Sequence, residues 1–306
     1  MHSCESYRNN VKNFIMIITT LYFFFAVFTT LEVAEFLSDP VLGLPFRANP
    51  TLASAAISTL YCFSVLPVKS MHKQAETVYC GSFVGMMALF LTQTNWLESS
   101  HAGLDWDFFI FAGCTSIFYM LFKIGDGHFY GHIAKGYGGR LGTTAFIVCL
   151  CFYLIFHGVN FPLEFDRYPL AVHFKFIGKY AIGSLVGCAL TLYLRRIFLY
   201  RFHDMNLVFS SALASFLIAA PTLLDAYPVA IAAAAYSGSF IAMTSEDVLD
   251  NGKILMGLSI INALTIWLYA IIFTGIGGIA GFAALTTLSV YFLIRFVIPH
   301  IIDITK

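Results

Sequence analysis

Tyr79–Met86 reads "YCGSFVGM" and Tyr236–Met243 reads "YSGSFIAM", so tyrosine, glycine, serine, phenylalanine and methionine recur at a spacing of 157 residues. Ala53–Ser58, "ASAAIS", and Ser210–Ser215, "SSALAS", match at the same spacing. Two matches in one register point to an internal duplication. A third pair, Gly136–Gly142 "GYGGRLG" and Gly275–Gly281 "GIGGIAG", places glycines at the same relative positions but is offset by 139. The longer first-half segment around Trp96 to Asp105 accounts for the difference. The chain is therefore read as two homologous halves, residues 1–160 and 161–306.

Composition sets the medium in which these halves fold. Hydrophobic residues make up 59% of the chain and charged residues 11%, with a mean hydropathy of +0.80, which marks an all-α integral membrane protein. A membrane-crossing helix needs about 20 mostly apolar residues. Ten runs fit, at roughly 12–36, 50–68, 76–95, 106–123, 138–160, 169–194, 205–224, 227–245, 253–273 and 276–298. The first follows Arg8 and Lys12 as a signal sequence would, but it is too long and lacks a small-residue cleavage site, so it is read as a retained helix. The net charge is zero, which gives no sign of nucleic-acid binding. The seven cysteines form no CxxC pair and read as small core residues, with no metal or cofactor implied.

Positive charge gives the orientation. With the N-terminus inside, 13 of the 17 Lys and Arg residues fall on the cytoplasmic side, and both termini are expected there. Five helices per half is an odd number, so the second half enters the membrane from the opposite face and the duplication is an inverted repeat. The first glycine element then opens the fifth span at the inner face and the second opens the tenth at the outer face. Such scaffolds are characteristic of secondary transporters. In layout alone the chain is similar to the drug/metabolite transporter superfamily, a resemblance that carries no local motif and transfers no functional residue.

Polar groups inside apolar spans are the candidate site, because lipid penalises them unless they face protein or water. Ser82 and Ser239 lie in the repeated "GSF", Ser58 and Ser215 match in the second and seventh spans, and Thr115, Ser116 and Asn262 sit midway along the fourth and ninth. Together they are expected to line a polar cavity, although each hydroxyl can instead bond a carbonyl of its own helix. Gly138, Gly139, Gly277 and Gly278 have two uses as well: a helix start that binds an anion or carboxylate, or close packing of two backbones. GxGGxxG has neither the preceding strand nor the following Lys-Ser/Thr of a nucleotide loop.

Glu32, Glu35, Lys175, Lys179 and Asp225 are the candidates for ion coupling near the outer face, with interfacial ion pairs as the plainer reading. Glu246 and Asp247 are placed to cap the ninth span or to pair with Arg195, Arg196 or Lys135. "DGHFYGH", Asp126 to His132, supplies the enzyme alternative: Asp126, His128 and His132 acting on a lipid or phosphate, or otherwise a solvated loop. The leading expectation is a secondary carrier for a small polar or anionic solute, with a channel or structural subunit and an enzyme behind it. Without an organellar presequence or an N-x-S/T acceptor, a bacterial inner membrane is the expected location.

Overall fold

The computed structural model describes residues 2–36, 50–65, 67–87, 106–126, 136–157, 170–198, 206–224, 229–273 and 277–297. Among the described residues there are ten α-helices and no strand. They are α1 (His2–Phe36), α2 (Pro50–Val65), α3 (Gln74–Gly85), α4 (Trp106–Asp126), α5 (Arg140–His157), α6 (Leu170–Phe198), α7 (Asn206–Ala219), α8 (Val229–Ala242), α9 (Gly252–Ile272) and α10 (Ile279–Phe292). Each falls on one of the ten expected runs, because uninterrupted apolar stretches satisfy their backbone only as helices.

The ends differ from expectation in instructive ways. The first helix begins at His2, ten residues before the apolar run, since Glu5 to Lys12 contains no helix breaker. The third helix ends at Gly85 and the eighth at Ala242, positions again 157 apart, although apolar sequence continues past Gly85. At α8 the ending has a physical cause. The carbonyls of Ala242 and Thr244 turn towards the Arg195 guanidinium. α9 starts cleanly because Asn251 is in an extended conformation and its side chain accepts from the backbone of Lys253 and Ile254, at 3.1 and 3.2 Å.

Three segments are long and apolar enough to cross a membrane: Asn13–Ala34 in α1, Ile177–Phe198 in α6 and Gly252–Ile272 in α9. At 1.5 Å per residue the 22 residues of the first span about 33 Å, against a hydrocarbon core of about 30 Å. These long helices contribute to the apolar outer surface, with Phe14, Ile182 and Ile261 among its exposed side chains. The short α3, 12 residues, is buried along nearly its whole length and is enclosed by the others.

Packing within the two groups of five follows one scheme. α1 packs on α2, α3 and α4 as α6 packs on α7, α8 and α9; α3 and α4 meet α5 as α8 and α9 meet α10. Between the groups α2 lies on α7 and α5 on α10, while α3 touches α7 and α2 touches α8. The core centre is four rings from the repeated octapeptides, Tyr79, Phe83, Tyr236 and Phe240, all fully buried. Tyr79 meets Phe240 at 5.7 Å between centroids and Phe83 meets Tyr236 at 5.0 Å, the same contact made with the halves exchanged.

Candidate functional site

Around these rings lies a closed set of hydroxyls. Ser82 Oγ donates to the Tyr79 carbonyl at 2.8 Å, and Ser239 Oγ to the Tyr236 carbonyl at 2.7 Å. A serine hydroxyl has one proton, so Ser82 and Ser239 can only accept from their other neighbours. Ser54 and Ser58 therefore donate to Ser82, at 2.8 and 2.9 Å, and Ser211 and Ser215 donate to Ser239, at 2.8 and 3.3 Å. With the protons of Ser54 and Ser211 committed, the tyrosines must donate to them. Tyr236 reaches Ser54 at 3.2 Å and Tyr79 reaches Ser211 at 2.6 Å.

Two relays result, each starting at a phenol of one half and ending on a carbonyl of the other: Tyr236 to Ser54 to Ser82 to the Tyr79 carbonyl, and Tyr79 to Ser211 to Ser239 to the Tyr236 carbonyl. Every bond has its twin 157 residues on. All four serines of these relays are buried, and the groups carry no formal charge. Within the relays, only the two tyrosine bonds cross between the halves. Moving the halves apart would release two phenols and two serine oxygens while leaving the bonds within each half intact.

The glycine elements lock the same helices from the side. A Cβ on Gly138 would meet the Phe240 carbonyl, and one on Gly277 would meet the Phe83 carbonyl, so each element lies flat on the octapeptide helix of the other half. Gly139 and Gly278 have φ of 88° and 82°, a left-handed conformation that lets α5 and α10 start beside each other. The two helices then cross where Gly142 meets Gly281. Gly138, Gly139, Gly277 and Gly278 thus have protein backbone against them, which is the packing use of small residues. Gly275 lies outside the described residues.

The other polar candidates separate. Thr115 bonds the Phe111 carbonyl at 2.8 Å and Ser116 the Ala112 carbonyl at 2.6 Å, both within α4. Asn262 centres a second network: its amide donates to Ser237 at 2.7 Å and Ser184 at 3.3 Å, and its carbonyl oxygen accepts from Thr287 at 3.2 Å. The network joins α6, α8, α9 and α10. Ser237 also bonds the Ala280 carbonyl at 2.7 Å, as its counterpart Cys80 bonds the Leu141 carbonyl at 3.3 Å. Replacing Asn262 with leucine is expected to cost only about 1 kcal/mol in a thermal melt, because Ser237 and Thr287 each keep a carbonyl partner.

Glu32 is half-buried on α1 and Lys179 is exposed on α6. The side chains of Glu35, Lys175 and Asp126, together with Asp225, His128 and His132, lie outside the described residues. Among the described residues no three His, Cys, Asp or Glu groups are placed to hold a metal ion.

Arg195, 9% exposed, closes the ends of α6 and α8. It donates to the carbonyls of Ala242 and, at 3.1 Å, Thr244, and lies 3.5 Å from Glu246, whose side chain is 67% exposed. Thr244 Oγ1 in turn accepts from the Gly138 amide at 3.2 Å. Arg195→Met leaves two carbonyls without their donor and is expected to lower stability by about 2 kcal/mol. Glu246→Gln, at the exposed end, is expected to change it by less than about 0.5 kcal/mol. Comparable losses for the two variants in thermal melts would show that the ion pair, not the carbonyl clasp, holds this end together.

A cavity of about 100 Å³ opens between Glu76, Tyr137, Arg140 and Val208. Glu76 is one helical turn from Tyr79, and Val208 one turn from Ser211, so the cavity ends next to the relay. The corresponding residues in the other half, Ala233 for Glu76 and Ile279 for Arg140, are apolar. No protein family, curated protein or solved structure matches the chain.

Proposed function

We propose that the chain is a multi-pass carrier that moves a small polar solute across a membrane, read as a bacterial inner membrane, by alternating access between two inverted five-helix repeats with both termini cytoplasmic. The observation that carries this reading is the doubled relay. Two matching hydrogen-bonding surfaces, one from each half, face each other in the middle of an apolar bundle and are joined there by the bonds Tyr79–Ser211 and Tyr236–Ser54. In a single-state structural protein that polar centre is a cost in lipid with no return. In a carrier it is a solute site in its closed form: separation at either face exposes the same hydroxyls, and inverted repeats supply the two equivalent openings.

Hydroxyls and amide carbonyls recognise neutral hydrogen-bonding solutes such as polyols, amides or zwitterions. Anions fit less well, since the relay holds no cation. Arg140 and Glu76 line the cavity beside the relay whereas their counterparts Ile279 and Ala233 are apolar, so the two entrances of such a carrier would differ in charge.

The test is flux into proteoliposomes containing the purified chain, screened with neutral polyols, amides, amino acids and monovalent anions. A carrier shows saturable uptake and trans-stimulated exchange of at least one neutral solute. Unsaturable, purely downhill flux would identify a channel, and turnover of lipid or phosphate substrates lost in His128→Ala or His132→Ala would identify an enzyme.

A further inference from the structure

A groove of about 250 Å³ runs between the first turns of the apolar part of α1 and the last turns of α4. It is lined by the apolar side chains of Ile15, Met16 and Met120 together with Thr19, Thr20, Tyr119 and Lys123. The threonine protons are already used, Thr19 on the Ile15 carbonyl at 2.8 Å and Thr20 on the Met16 carbonyl at 2.9 Å. Lys123 is different. Its ammonium donates to Tyr119 Oη at 3.2 Å and stands 5.5 Å from the centre of that ring, which is itself stacked on Phe23 at 4.0 Å. An ammonium has three N–H groups, and the described residues offer Lys123 no carboxylate within ion-pair distance. The groove faces outward, flanked by the exposed apolar side chains Phe14, Ile17, Ile117 and Leu121.

We infer that this groove binds one anionic glycerophospholipid, its phosphate on Lys123 and one acyl chain along Ile15, Met16 and Met120. The inference rests on α1 and α4 lying in a membrane, not on the carrier activity. The chemistry is complementary at both ends. A fixed cation at the last turn of a bundle helix meets a headgroup phosphate, and an unfilled apolar slot leading away from it meets a chain. Tyr119 holds the ammonium over the groove instead of leaving it free to snorkel away.

Native mass spectrometry of the detergent-purified full chain tests this, titrating phosphatidylglycerol, phosphatidylcholine of matched chain length and inorganic phosphate. One phosphatidylglycerol is expected to be retained, about fivefold more weakly in Lys123→Gln and unchanged in Lys253→Gln, an exposed lysine elsewhere. Thr19→Trp, which fills the groove and leaves Lys123 in place, is expected to lower retention at least as much, so the inference does not depend on one variant folding. Equal retention of phosphatidylcholine, displacement by inorganic phosphate at matching concentration, or unchanged retention in both Lys123→Gln and Thr19→Trp would each overturn it.

Discussion

Gly138→Ala is expected to destabilise the folded chain by about 3 kcal/mol, and Gly277→Ala by a similar amount. The added methyl has nowhere to go. At Gly138 it meets the Phe240 carbonyl, and at Gly277 the Phe83 carbonyl, both backbone atoms in the last turns of the buried helices α8 and α3. A flexible side chain would swing aside, whereas here an entire helix must shift. The shift would also pull the Gly138 amide away from Thr244 and open the Gly142–Gly281 crossing. Gly257→Ala is the matched control, since nothing lies within contact distance of a Cβ there, and removing a mid-helix glycine is expected to be neutral or slightly stabilising. Thermal melts of the three variants in one detergent check this. Gly138→Ala melting with the wild type would mean that the glycine elements do not hold the two halves together.

Tyr79→Phe and Tyr236→Phe are each expected to slow solute flux about tenfold, and the double variant about a hundredfold. Each removes one phenol proton, and with it the bond to Ser211 or Ser54, while the ring still fills its place against Phe83 and Phe240. Because the two tyrosines exchange roles when the halves are exchanged, the single variants should resemble each other within about threefold, roughly the latitude of one hydrogen bond between contexts. Initial uptake rates in proteoliposomes, normalised to reconstituted protein, make the comparison. A silent Tyr236→Phe beside a crippled Tyr79→Phe would point to a one-sided site and against a doubled one.

The helices could be read from the sequence because lipid and a buried core both demand apolar runs, and ten such runs became ten helices. Their lengths could not. Residues 86–95 are as apolar as the helix before them, and nothing in "MMALFLTQTN" announces that α3 ends at Gly85. Helix ends here follow tertiary partners, as the Arg195 clasp on the α8 carbonyls illustrates.

The candidate site was legible in outline. Ser82 and Ser239 were visible through the 157-residue spacing, and Tyr79 and Tyr236 recur within the same octapeptides, although nothing in the spacing gave the tyrosines a polar role. What the spacing lacked was the crossing of α2 on α7, which carries Ser54 to Tyr236 and Ser211 to Tyr79. Thr115 and Asn262 show the opposite limit. Both lie midway along corresponding helices, yet a threonine turns to its own carbonyls while an asparagine, with two donors and an acceptor, gathers Ser184, Ser237 and Thr287. Matching position predicted shared surroundings, and side-chain valence decided otherwise.

Opposite orientation of the two halves, on which alternating access between inverted repeats depends, is tested most directly by a membrane-impermeant thiol reagent applied to intact cells and to inverted vesicles. Lys69→Cys and Ala226→Cys place one thiol in each of two connecting segments 157 residues apart, between α2 and α3 and between α7 and α8. Labelling above the wild-type background is expected at residue 69 only from the cytoplasmic side and at residue 226 only from the outside. Both thiols labelled from the same side would contradict the inverted arrangement and the carrier mechanism built on it.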